Sequence, residues 1–197
     1  MRKESKIIIV VIIAITIVVA TIFLGRQMSS RGITALERRD IADGLASTWN
    51  SSAILVNVMG MGNKYSDGTC SEWGYSYSNN HPDINKSKGF FVTVYTNGSY
   101  VTGEVEHPPS PQSLHNWSVD SIESVSIAKS NPEISEFLSS YPNAKIERIV
   151  FIGEIIRSNG CLMNIQWSDP GFMDNPHSAR IWIDATNGEV IDVEADD

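Results

Sequence analysis

The feature that most limits what this chain can fold into is an unbroken apolar run close to its start. From Ile7 to Leu24 there are eighteen residues without a charge, and only Thr16 and Thr21 carry a polar side-chain atom. At ~1.5 Å per residue this run, with Gly25, is long enough to reach across the hydrocarbon core of a bilayer. The apolar part of a cleaved signal peptide is shorter, ~7 to 15 residues, and leads into small residues, whereas this run ends in Ile22-Phe23-Leu24-Gly25-Arg26. A helix in a globular core would not be apolar on every face. The expectation is a single-pass transmembrane signal anchor over 7–25 in contact with the lipid bilayer, preceded by a cytoplasmic tail over 1–6. Cationic residues flank the run on both sides and do not decide its orientation. A short cationic tail usually stays inside, and long domains translocate largely regardless of charge, so the C-terminal domain is expected outside the cytoplasm at the cell membrane.

The 197 residues leave room beyond this run for one ordinary domain or two small ones. The net charge is −8 and no cluster of Lys and Arg interrupts it, which argues against nucleic acid as a partner.

Two stretches of the remaining chain follow one plan. In the first half, 26–106, Thr34-Ala-Leu-Glu37 reads as a capping box, and Ile41, Leu45 and Trp49, with Ala42 and Ala46, give the helix after it an apolar face. Strand-like runs follow at Ala53–Met59, Cys70–Tyr77, Phe90–Tyr95 and Tyr100–Glu106, the last two joined by a Thr96-Asn97-Gly98-Ser99 turn. A proline-rich linker over 107–117 cannot be regular, because its prolines lack donors. In the second half, 118–197, Ser118 is positioned to cap a helix with Ile122, Val125 and Ala128 inward. Asn131-Pro132-Glu133 opens a second helix carrying Ile134, Phe137 and Leu138. Strands are expected at Ala144–Ile156, Cys161–Trp167, Ala179–Ala185 and Glu189–Glu194, the second and third alternating so that one face of each is wet. Cys70 precedes Thr96 much as Cys161 precedes Thr186, which points to an internal repeat. The expected fold class is α+β, a transmembrane helix followed by two similar helix-plus-antiparallel-sheet halves.

The second half resembles the PepSY family over about residues 118–195. The likeness is carried by Ser118-Val-Asp-Ser-Ile-Glu123, Ala144-Lys-Ile-Glu147 and Arg180-Ile-Trp-Ile-Asp-Ala-Thr-Asn-Gly-Glu-Val190. Ile183 stands where that family's pattern opens with Val, and Asn187 where Thr is usual. The first half is similar to a diverged copy that lacks the Asp and the Glu-Val of the turn. The resemblance implies a PepSY-like, non-catalytic module of secreted or membrane-attached proteins, with roles in restraining peptidases or in sensing at the cell surface. It implies no catalytic residues.

The residues themselves offer few sites. Cys70 and Cys161, at equivalent points of the two halves, form either one disulfide across a long loop or two free thiols. Trp73, Tyr75 and Tyr77 share one strand face, which either stacks on a ligand or packs beneath a helix. Trp182 is expected to point outward between Arg180 and Asp184, making Trp182 and Arg180 candidates for partner contact. Asp184 and Glu189 flank a turn and read as turn residues. The histidines fall on loops without metal-ligand spacing, so neither a metal nor a cofactor is expected, and no enzyme motif is present. The function expected is an extracytoplasmic, non-catalytic binding module whose protein partner is a peptidase or another surface protein. The alternative is a module sensing a ligand or wall polymer through the aromatic face.

Overall fold

A computed structural model describes residues 32–83, 86–106, 112–153, 160–169 and 177–195. The first helix, α1, spans Arg39–Trp49, and four strands follow it: β1 (Ile54–Lys64), β2 (Cys70–Ser78), β3 (Lys88–Tyr95) and β4 (Tyr100–Glu106). Helices α2 (Ser121–Ser130) and α3 (Pro132–Ser140) come next. Strands β5 (Lys145–Ile152), β6 (Leu162–Ser168), β7 (Ser178–Asp184) and β8 (Glu189–Ala195) complete the chain. All eight strands lie in one antiparallel sheet of order β4-β3-β2-β1-β5-β6-β7-β8.

This architecture corrects the expected fold class. The two four-strand stretches do not each close a sheet of their own, because β1 and β5 pair at the centre through Asn57↔Ile152, Val58↔Phe151 and Met59↔Val150. Kept apart, each stretch would have left an apolar strand, β1 or β5, as an unpaired edge; joining them buries both edges at once. Among the described residues the result is mainly a β-sheet, with three short helices on one face. The membrane expectation is corrected as well: among the described residues no helix is long and apolar enough to cross a membrane. The run 7–25, on which the single-pass transmembrane anchor was expected, lies outside the described residues, and nothing in the structure supports it.

One core joins the helices to one face of the sheet. Trp73, Tyr75, Val92, Val58, Phe151, Ile149, Met163, Ile165 and Ile181 face it from the strands, and Ala42, Ala46, Val125, Ile134 and Phe137 from the helices. Aromatic rings tie the halves together: Phe151 lies 4.4 Å from the Trp117 ring and 6.2 Å from the Trp73 ring. The linker after the prolines is part of this core, since Leu114 and Trp117 are buried and Leu114 N–H donates to the Leu55 carbonyl at 2.7 Å.

Several local expectations shift. The Thr34 and Glu37 side chains exchange bonds with each other's backbone N–H at 3.2 and 3.5 Å, yet they close a turn ahead of α1 rather than its first residues. Helix α2 is capped by Asp120, while Ser118 Oγ donates to the Thr186 carbonyl at 2.6 Å. With the start moved, the buried stripe of α2 is Ser121, Ser124, Val125 and Ala128, and Ile122 is left 38 % exposed. Strand β6 is buried on both faces, because Leu162 and Asn164 are as enclosed as Met163 and Ile165. Helix α3 starts as the Asn131-Pro132 pair dictates, with the Asn131 side chain accepting from the N–H groups of Glu133 and Ile134.

Candidate functional site

The side chains singled out in the sequence separate into core, turn and surface. Trp73, Tyr75 and Tyr77 point into the core, and each spends its polar atom on the segment that carries α1. Trp73 Nε1 donates to the Ile33 carbonyl at 2.7 Å, Tyr75 Oη to the Ala35 carbonyl at 2.9 Å and Tyr77 Oη to Asp43 Oδ1 at 2.7 Å. Burial, with the Asp43 hydrogen bond for Tyr77, pushes both phenols well above their usual range and keeps them as donors. This stripe pins a helix to a sheet and has no face to offer a ligand.

Cys70 and Cys161 are free and buried. Cys70 opens β2 and Cys161 directly precedes β6, with β1 and β5 between those two strands. At the usual interstrand spacing that separation is about 14 Å, well beyond the ~7 Å that a disulfide tolerates. Burial raises the Cys70 thiol from 9.0 to about 12 and raises Cys161 likewise, so neither is a thiolate near neutral pH. Asp184 is also buried and accepts from the N–H and Oγ1 of Thr186 at 2.8 and 2.7 Å, a turn role. Among the described residues no group of His, Cys, Asp and Glu is arranged to hold a metal.

The other face of the sheet carries the residues that the sequence did not single out. Because Trp73, Tyr75 and Tyr77 point inward, their neighbours point to this second face, and the strand registers carry the alternation across the sheet. One row runs Val101, Thr93, Gly74, Met59, Val150, Asn164, Trp182 and Asp192. Of its second-half members Val150 and Asn164 are buried and Trp182 half-buried, while Asp192 on the edge strand is exposed; Arg180, on the same face, is ion-paired to Glu194 at 3.5 Å. Trp182 and Arg180 are therefore less available to a partner than their alternation promised.

The first half leaves this face open. Met59 is 40 % and Met61 39 % exposed, and Met61 lies over Gly74, with Thr93 Oγ1 3.9 Å from its sulfur. Beside them β1 and β5 part: their ladder ends at the Met59–Val150 pair, although β1 continues to Lys64 and β5 begins at Lys145. The parting forms a recess of about 320 Å³ lined by Met59, Gly60, Lys64, Glu147, Arg148 and Gln166. The site thus combines exposed apolar side chains with two cations, a carboxylate and an amide on the sheet. The signal in the sequence was Val58-Met-Gly-Met61, which continues the strand, but Gly60 and the following Gly62 read as the end of one.

Compared with known proteins, the chain matches no family model, no curated protein and no solved structure. The PepSY resemblance rests on the residues quoted for it alone.

Proposed function

We propose that the folded unit from Gly32 onward is a non-catalytic binding module for a protein partner, engaged through the open face beside the β1–β5 seam, with a peptidase as the partner class to test first. The exposure of Met59 and Met61 on a sheet face carries this reading. Methionine is unbranched and polarisable and adapts to varied apolar surfaces, and contiguous exposed apolar side chains on a rigid face favour one that a partner covers. Lys64, Glu147, Arg148 and Gln166 line the recess with Met59, giving the mixture of apolar centre and polar rim common in protein interfaces. Stacking of a polymer on the aromatic stripe has no such support, since its rings are buried.

The test places a photoreactive residue at Met61 and, as a control, at exposed Glu189 on the far edge strand, in the native cell. One protein cross-linked at 61 and not at 189 is the expected result. A captured peptidase that purified chain inhibits supports restraint; a captured non-peptidase supports binding without restraint. Equal or absent cross-linking at the two positions ends the reading.

A further inference from the structure

The sheet has two edges, and they are built differently. Strand β8 is interrupted by a bulge between its pairings to Trp182 and Ile183, and Asp192 and Glu194 lie along it. A bulge of this kind guards an edge against pairing, whereas carboxylates lie along both edges, Glu104 and Glu106 on β4 as Asp192 and Glu194 on β8. Strand β4 has no bulge: it pairs with β3 without a register shift from Lys88↔Glu106 to Val94↔Tyr100. Among the described residues no strand lies beyond it. Its apolar side chains are left in water, Val101 at 51 % and Val105 at 41 % exposure.

The phase of its backbone follows from the hairpin. Tyr95 N–H donates to the Ser99 carbonyl at 2.9 Å, so Tyr95 and Ser99 are a hydrogen-bonded pair, and bonded and non-bonded pairs alternate from there. Val101, Gly103 and Val105 accordingly spend their backbone groups on β3. Tyr100, Thr102, Glu104 and Glu106 direct theirs outward, away from the sheet.

We infer that β4 is the contact by which two copies of this chain pair, antiparallel about a two-fold axis at Gly103, joining their sheets edge to edge. Only registers that match outward-facing residues with one another satisfy both backbones. Of these, the one centred on Gly103 overlaps the whole strand. It sets Thr102 opposite Glu104 and Tyr100 opposite Glu106 of the second copy, so no carboxylate faces a carboxylate directly. A shift of one step in one direction sets Glu104 against its own counterpart, which is unfavourable. The centred register also brings Val101 opposite Val105 on the open face as a non-hydrogen-bonded pair, the closer kind. Gly103 suits the centre because the Phe91 ring lies over it, in the space a Cβ would need. A strand of sequence Tyr-Val-Thr-Gly-Glu-Val-Glu is in this sense complementary to itself, as a two-fold interface requires. The inference rests on the outward backbone groups of β4 and not on Met59 or Met61, so it stands apart from the function proposed above.

The test is disulfide trapping with the full-length chain, in mild non-ionic detergent to keep the apolar run 7–24 in solution. Val101→Cys and Val105→Cys chains are oxidised separately and as a mixture; the native thiols are buried and do not compete. The expected result is a dimer band in the mixture that each variant alone fails to give, with a doubled mass for the wild type by sedimentation. Thr102→Pro, which removes an outward N–H that β3 does not use, is expected to return the mass to that of a monomer while leaving the melting temperature within a few degrees. A wild type that sediments as a monomer overturns the inference, as does a dimer whose mixture cross-links no better than the single variants.

Discussion

Truncation of Phe151 to alanine tests whether the two halves are energetically one. Its side chain is fully buried, its strand neighbours are Val58 on β1 and Met163 on β6, and its ring lies against Trp73 of the first half and Trp117 of the linker. Loss of a buried Phe ring costs about 3–5 kcal/mol, through lost transfer energy and the cavity left behind. The contacts with Trp73 and Trp117 place this site at the upper end, since aromatic pairs are worth ~0.5–1.5 kcal/mol beyond their buried area. Against a total stability of about 5–15 kcal/mol for an ordinary domain, the variant should lose a third or more of its stability. The assay is urea unfolding followed by hydrogen exchange of peptides from both halves. A single transition is expected, displaced by the same free energy whether read from β2 and β3 or from β6 and β7. A loss below ~1 kcal/mol, or a second half that unfolds early while the first keeps its protection, would refute the reasoning.

Three further outcomes follow from the same geometry. Cys70, Cys161, Tyr75 and Tyr77 are all raised by burial, so the folded state holds protons that the unfolded chain releases. Their contribution to stability should be fully present below pH 9 and be lost as pH rises from 9, the ordinary thiol value, toward the 12 or so of folded Cys70. Melting temperatures across that window check it, and Tyr77→Phe should shallow the slope. Neither cysteine should react with a thiol reagent in the native protein and both should react in urea; a mass deficit that a reductant restores would reveal a bridge and contradict the strand order. Gly98→Ala should cost ~1–2 kcal/mol, measured by thermal melting, because Gly98 has φ +80° and no atom lies within 4 Å of the added Cβ, leaving backbone strain as the sole term.

The local plan of this fold was legible because local rules set it. Asn131-Pro132 starts α3 as its cap chemistry requires, Thr96–Ser99 turns as its glycine allows, and the alternation in Arg180–Asp184 sorts the faces of β7. What could not be read is the β1–β5 pairing. It joins segments some ninety residues apart, and nothing in either strand names the other. Ending the first strand at Met59 also hid half of β1, and with it the open face. In α2 the ambiguity was chemical, since Ser118 and Asp120 are both good caps and only the Ser118 bond to the Thr186 carbonyl separates them. The aromatic stripe showed its spacing but not its occupant, which is the segment leading into α1 rather than a ligand.

The most direct test of the account is a calorimetric titration of the partner captured at position 61 with wild-type chain and with the Met59→Ser/Met61→Ser variant. The account predicts a binding loss of at least tenfold for the variant, with its melting temperature nearly unchanged because both side chains are exposed. Equal affinity for the two proteins would contradict it and move the interaction away from the open face.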